Sequence, residues 1–390
     1  MQSQRCQTSR GARSDMPRET VSDILKRVFV GSNFKCLEFE KRAVDADSAS
    51  EYSEHDERIK GEIFENPRLT SFRDVRTAAI TETTPSIISY FMDGSRRVFR
   101  FSDVVLENGK YFPVLAGQTG VAVLRRNPDG TLSPMLPYSR WENVLVLPDA
   151  IGKDDRLAIE TAMRESGRFS FTVTDYVTGK SGGNQSDDYV TSATKKILDK
   201  MHDNEIWAVK AMMSDCVLRG DAMLMIDGSL QFRSDVLKRN DFQVNQLVNV
   251  VGVSKSFTPS QPVHGMKGGR HLGAVLQEMK FGQRTPVFKA GYGDFEKILG
   301  VWYLRIRQPG QMTTPLAGVL KIEVLANGAE EEDGLEADRV NSLSAMILSE
   351  RNVTPFGADD RWANHLYPVY LTEKYLKSRF LSDVYFKGLL

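Results

Sequence analysis

Ser89-Tyr90-Phe91-Met92-Asp93-Gly94-Ser95-Arg96-Arg97 is the stretch that decides how this chain is read, because Met223-Leu224-Met225-Ile226-Asp227-Gly228-Ser229-Leu230 repeats its design. In both, an apolar run that reads as a buried strand is closed by Asp-Gly-Ser. Asp-Gly alone is an ordinary turn signal. The apolar residues directly before it in both copies fit a central strand better than a polar edge hairpin. A carboxylate where such a strand leaves the sheet, followed by a glycine that opens space beside the backbone, is well placed to hold a ligand. If the two strands are neighbours, Asp93 and Asp227 form the paired carboxylates that a divalent-metal site for phosphoryl chemistry requires.

The elements around these strands predict an α/β chain. Residues 1–20 read as a tail, 20–31 as a short helix with Ile24, Leu25, Val28 and Phe29 on one side, and the charged stretch 41–62 as helical. Strands are expected at 87–92, 98–101 and 120–125, irregular chain at 127–150, and a helix at 151–168. FSFTVTDYV follows as a strand, then a loop, SGGNQSDD, and a long helix over 189–217 that leads into the Asp227 strand. NVVGVSKSF, with Lys255 at its end, is a further strand, and HGMKGGRHLG a loop. VWYLRIRQ and AGVLKIEVL form a hairpin, and helices lie around 343–350 and 371–380.

With 390 residues and 41% hydrophobic content, the chain suits one large α/β domain with additions or two domains. Its 51 basic and 51 acidic residues balance, so any attraction for nucleic acid must come from a local basic groove. Cys6, Cys36 and Cys216 lie far apart without CxxC spacing, which argues against a zinc site or a disulfide framework and fits a reducing cytoplasm. No stretch approaches the ~20 apolar residues of a membrane span.

Several motifs fail. Val177-Thr178-Gly179-Lys180-Ser181 has Thr174 where a phosphate-cradling loop needs glycine. His264 and His271 flank a Gly/Lys loop with no further metal-ligand pattern, and Ser95 and Ser229 have no His and Asp partners at a diagnostic spacing. Glu205 is a stronger candidate. Trp207, Ala208, Ala211 and Met212 put it at the border of the buried side of an amphipathic helix, where it is either a third acidic ligand or a solvated carboxylate pairing with Lys210 or His202.

In order along the chain, SYFMDGSRR, the Glu205 helix, MLMIDGSL, VVGVSKS (250–256), the VWYLRI and VLKIEVL strands, and LYPVYLTEKYLKS resemble the NurA nuclease family over roughly residues 85–380. The ordered set carries the resemblance, not any single motif. It implies an RNase H-like mixed sheet flanked by helices over residues 81–390, preceded by a tail and helical extension over 1–80. It also implies a manganese- or magnesium-dependent deoxyribonuclease, a cytoplasmic homodimer that processes DNA ends in repair or defence with a hexameric HerA ATPase. By the same resemblance, Asp93, Glu205 and Asp227 match the metal-binding carboxylates.

The chain departs from the family at one ligand. Members carry an Ala-His pair after a Tyr-Pro segment, and counting from Tyr367-Pro368 puts Tyr375 at the His position, preceded by Lys374. A phenol ionises near pH 10 and is a poor ligand for these metals. Either His365 or Glu373 supplies the ligand from a shifted position, or the site is weakened or inactive and the chain is a non-catalytic subunit. The expected chemistry uses two metals about 3.5–4 Å apart, one activating water and one stabilising the leaving oxygen. Lys255 is placed to neutralise charge on the phosphate, and Arg96 and Arg97 to grip the DNA backbone.

Overall fold

A single 19-residue strand, β3 (Ile88–Leu106), organises the molecule. The structure is a computed structural model that describes residues 19–44, 59–75, 86–167, 170–178, 185–220, 222–259, 271–291, 297–312, 314–351 and 363–390. On one edge β3 pairs antiparallel with β4 (Tyr111–Arg126), which pairs antiparallel with β5 (Arg140–Pro148), and β6 (Phe171–Tyr176) runs parallel to β5. Its other edge is shared. The first part of β3 pairs in parallel with β7 (Met223–Asp227), and residues 99–106 pair antiparallel with β1 (Phe34–Ala43).

Beyond β7 the sheet continues through parallel β8 (Val250–Ser254) and antiparallel β11 (Val319–Leu325) and β10 (Ile298–Arg305). β9 (Phe288–Gly291) and β2 (Ile59–Ile63) complete the path β2-β9-β10-β11-β8-β7-β3-β4-β5-β6. The sheet is therefore mixed, and helices cover it on both faces.

Burial explains the central strands. In β7, Met223 and Met225 join the core on one face while Leu224 and Ile226 join the core on the other, so every position is apolar up to Asp227. The 30-residue α3 (Gln185–Ser214) covers the second face through Ile206, Val209 and Met212. The first face is covered by α4 (Ala337–Ser349) and α5 (Tyr367–Ser378), with Trp302 Nε1 donating to Ser344 Oγ at 2.9 Å. Helices α1 (Val21–Val28) and α2 (Lys153–Ser166) close a third core with Phe99, Phe101 and Leu145. Among the described residues, no helix is long and apolar enough to cross a membrane.

Four sequence expectations are corrected. Residues 41–62 are not a helix at their described ends: Lys41–Ala43 lie in β1 and Ile59–Ile63 in β2, because pairing with strand edges overrides helix propensity. Of the 1–80 extension, only the capped α1 is helical among the described residues before the chain joins the sheet. Residues 140–148 are a strand, since Val144–Leu147 is an apolar run buried on both faces between β4 and β6. Finally, 87–92 and 98–101 are one strand, so Asp93 is not a strand end. Gly94 stays paired with Val121, and the chain turns only after Leu106. The tail at 1–18, the centre of the charged stretch, the Gly-Lys-Ser loop and His264 lie outside the described residues.

Candidate functional site

Register brings the two Asp-Gly-Ser copies together. Ile226 pairs with Met92 in parallel strands, so Asp227 and Asp93 follow side by side. Side chains alternate along a strand, so both carboxylates share the face of Phe91 and Met225, beneath α5. Val253 on β8 has the same parity, and Lys255 two residues on reaches back to donate from Nζ to Asp227 Oδ2 at 2.6 Å. Asp93 sits at a fork. β7 pairs with β3 up to Met92, and the chain of β1 resumes with Val44 N on the Val98 carbonyl, leaving this edge of 93–97 without a strand neighbour among the described residues.

Glu205 comes from the opposite face. It is 6% exposed on α3, and its carboxylate lies directly against Gly94, where a Cβ would stand 2.1 Å from Glu205 Oε1. The glycine of the first copy is thus needed for close approach, not for a turn. Only in the second copy does glycine leave the extended region, with Gly228 at φ +148° as the chain departs the sheet.

The loop after Asp227 is fixed by a residue that sequence reasoning did not single out. Glu323, fully buried on β11, accepts from Ser229 Oγ, Leu230 N and Gln231 Nε2, each at 2.7 Å, and pairs with Lys321 at 2.9 Å. Ser229 is therefore an anchor. The available signal was Lys321 and Glu323 alternating inside an apolar strand.

Electrostatics tie the cluster together. Burial pushes the Asp93 carboxyl well above the usual range, and the charges of Asp227, Glu373 and Glu205 push it further, against the pull of Lys255. Burial works against the charge on Lys255, but Asp227 outweighs it, with Asp93 and Glu373 behind, and the ammonium is held more firmly than in an ordinary lysine. Glu373 is half-buried, which works against its charge, yet its ion pair with Lys377, together with the charges of Lys255 and His365, keeps it below the usual range.

Of the three alternatives for the further ligand, Glu373 on α5 is the one whose charge reaches Asp93. His365, 4% exposed, lies close enough to act on Glu373, with its ring 5.7 Å from that of Tyr370. Tyr375 packs edge-on against Trp141 at 6.0 Å, beneath the Arg379 guanidinium. Arg97, expected to grip the DNA backbone, makes contacts within the protein. It pairs with Asp383, donates to the Leu381 carbonyl and lies over Phe380, fastening β3 to α6 (Asp383–Leu389). Arg96 is half-buried on the same strand. Lys210 donates to the Asn240 and Asp241 carbonyls.

The donor set is one a hard divalent cation prefers, oxygen ligands only, with Asp93 buried. As the side chains stand, no three His, Cys, Asp or Glu among the described residues are arranged to hold a metal ion. The Lys255 ammonium, not a carboxylate array, meets Asp227. Neither a protein-family model nor a curated protein sequence matches this chain.

Proposed function

We propose that the chain is a metal-dependent DNA nuclease of NurA-like, RNase H-like design. The observation that carries this reading is the side-by-side placement of Asp93 and Asp227 at adjoining positions of two parallel strands, with Glu205 and Glu373 approaching from opposite faces. The sheet supports it as well. A meander of three antiparallel strands, β3-β4-β5, is followed through α3 by β7 and β8, both parallel to β3.

Asp93, Asp227, Glu205 and Glu373 are the residues that would hold manganese or magnesium. When bound, such a cation supplies Lewis-acid activation of water and of the phosphodiester. Lys255 presents an oriented ammonium to a phosphate oxygen, and Asp93 stands at the fork where β7 and β1 part along β3. DNA as substrate, a HerA-type hexameric ATPase and a homodimer come from the sequence resemblance.

One observation favours a second reading, a non-catalytic subunit of the same design that binds DNA and the motor: Lys255 already neutralises Asp227. The test is degradation of end-labelled linear DNA with manganese by wild type and Asp227→Ala, each with and without the ATPase. Cleavage lost in Asp227→Ala supports the nuclease. No cleavage by wild type with a working motor favours the subunit, and equal cleavage by both proteins rejects the site.

A further inference from the structure

Because the chain carries as many acidic as basic residues, any hold on nucleic acid must come from a local basic surface, and Arg97 is tied instead to Asp383 and the Leu381 carbonyl. The outer side of α5 carries such a surface beside the acidic cluster. Lys374 and Arg379 are exposed and make no ion pair among the described residues, whereas Lys377 is matched by Glu373. Each of the two lies on a ring: Lys374 Nζ is 5.3 Å from the centre of Tyr370, and the Arg379 guanidinium 5.3 Å from that of Tyr375. Behind Tyr375 stands Trp141, edge-on at 6.0 Å, its Nε1 donating to the Leu376 carbonyl at 3.1 Å. Gly120 makes room for this packing, since a Cβ there would stand 2.8 Å from Trp141 Cδ1 and 3.0 Å from Leu376 Cδ1. The column of Trp141, Tyr375 and Arg379 is thus fixed at its inner end and exposed at its outer end.

We infer that this side of α5 takes a single strand of nucleic acid, with an unpaired base on the Arg379 guanidinium and a backbone phosphate on Lys374. The inference deepens the nuclease reading above and rests on it for what becomes of the strand. A guanidinium already held on an aromatic ring offers a base a stacking plane and a phosphate a donor fork, with little side-chain freedom left to lose. Stacking of this kind needs an unpaired base, because inside a duplex the neighbouring bases cover both faces. The two unmatched positive charges complement the backbone. At about 100° per residue, Lys374 lies midway around the helix between Tyr375 and Glu373. Glu373 is the residue of α5 whose charge reaches Asp93, so a strand passing from the Tyr375 column over Lys374 is led toward the acidic cluster.

Fluorescence anisotropy of labelled oligonucleotides with the full chain in chelator tests this apart from cleavage. Wild type should bind a single strand more tightly than a duplex of the same length. Arg379→Ala should weaken single-strand binding by about tenfold, the loss expected when a stacking partner is removed, and Arg379→Lys, which keeps the charge without the plane, should recover little of it. Lys374→Ala should lower the slope of log affinity against log salt by about 0.7, the share of one phosphate contact. Both side chains are exposed, so the variants should melt like wild type. Unchanged single-strand binding in Arg379→Ala and Lys374→Ala, full recovery by Arg379→Lys, or a duplex bound as tightly as the single strand overturns the inference. In each of those cases, manganese-dependent cleavage lost in Asp227→Ala would leave the nuclease reading standing. Binding that depends on both residues in a protein that never cleaves supports the surface and favours the subunit. No binding of any nucleic acid by wild type overturns the surface together with the readings that need DNA.

Discussion

A methyl group added at Gly94 would stand 2.1 Å from Glu205 Oε1, 2.8 Å from its Cδ and 3.1 Å from its Cγ. Carbon and oxygen prefer to sit ~3.5 Å apart, so the carboxylate has to retreat by roughly 1 Å or more. The stability effect is small because two terms oppose. Replacing a glycine inside a strand gains about 0.5–1 kcal/mol from the restricted unfolded chain. Overpacking costs about 1–3 kcal/mol, at the low end here because the atoms struck are the far end of a flexible side chain. Gly94→Ala should therefore unfold within about 1–2 kcal/mol of wild type. In a Glu205→Ala background the clash is gone, and the same substitution should stabilise by about 0.5–1 kcal/mol. The difference is a coupling of about 1–3 kcal/mol, read from urea titrations of the four proteins. Cleavage behaves differently, since a displacement of ~1 Å in a positioned group costs about 100-fold. Gly94→Ala should match Glu205→Ala in manganese-dependent DNA degradation while melting like wild type. Equal stability effects in both backgrounds would show that Glu205 does not lie against Gly94. Wild-type cleavage by a folded Gly94→Ala would remove Glu205 from the site.

Asp93→Asn should stabilise the metal-free protein by about 1 kcal/mol at neutral pH, the usual gain where a strained site is relieved. Because the folded Asp93 carboxyl titrates above the usual range, its stability contribution is intact below about pH 4 and is lost as pH rises toward its folded value. The asparagine variant should thus gain nothing in acid and progressively more above it, and thermal melts across pH in chelator that show a constant difference would reject the burial argument. Glu65 and Arg284 form a fully buried ion pair in which Arg284 Nε also donates to Asn341 Oδ1 at 2.8 Å and Val287 N to Glu65 at 3.0 Å. Glu65→Ala should cost about 3–5 kcal/mol by stranding the guanidinium, and Glu65→Leu with Arg284→Met should recover most of it; the urea midpoint separates these outcomes.

What the sequence made legible was local. The apolar runs before Asp93 and Asp227, the hairpin of β10 and β11 and the terminal helices all carry their periodicity within a few residues. The failures have long-range causes. β1 is a strand because β3 extends beyond β7 and offers it an edge, which no property of residues 34–43 announces. Glu323 reads as one charge in a strand until the loop after Asp227, over 90 residues earlier in the chain, folds its donors onto it. Counting from Tyr367-Pro368 led to Tyr375, but a helix turns 100° per residue, so Tyr375 and Glu373 lie some 200° apart around α5. One meets Trp141 and the other acts on Asp93.

The two Asp-Gly-Ser copies also share a spelling without sharing a structure. In the first, Gly94 is extended and exists to let Glu205 in; in the second, Gly228 releases the chain so that Ser229 can reach Glu323. What they hold in common is parity. Pairing Ile226 with Met92 places both carboxylates under α5, and a slip of one residue between β7 and β3 would turn Asp227 toward α3, away from Lys255. The apolar residues on the two faces of β7 forbid that slip, because Met223 and Met225 would exchange cores with Leu224 and Ile226 while Asp227 entered the α3 side. The packing that stabilises the central sheet is therefore the same feature that aligns the acidic site.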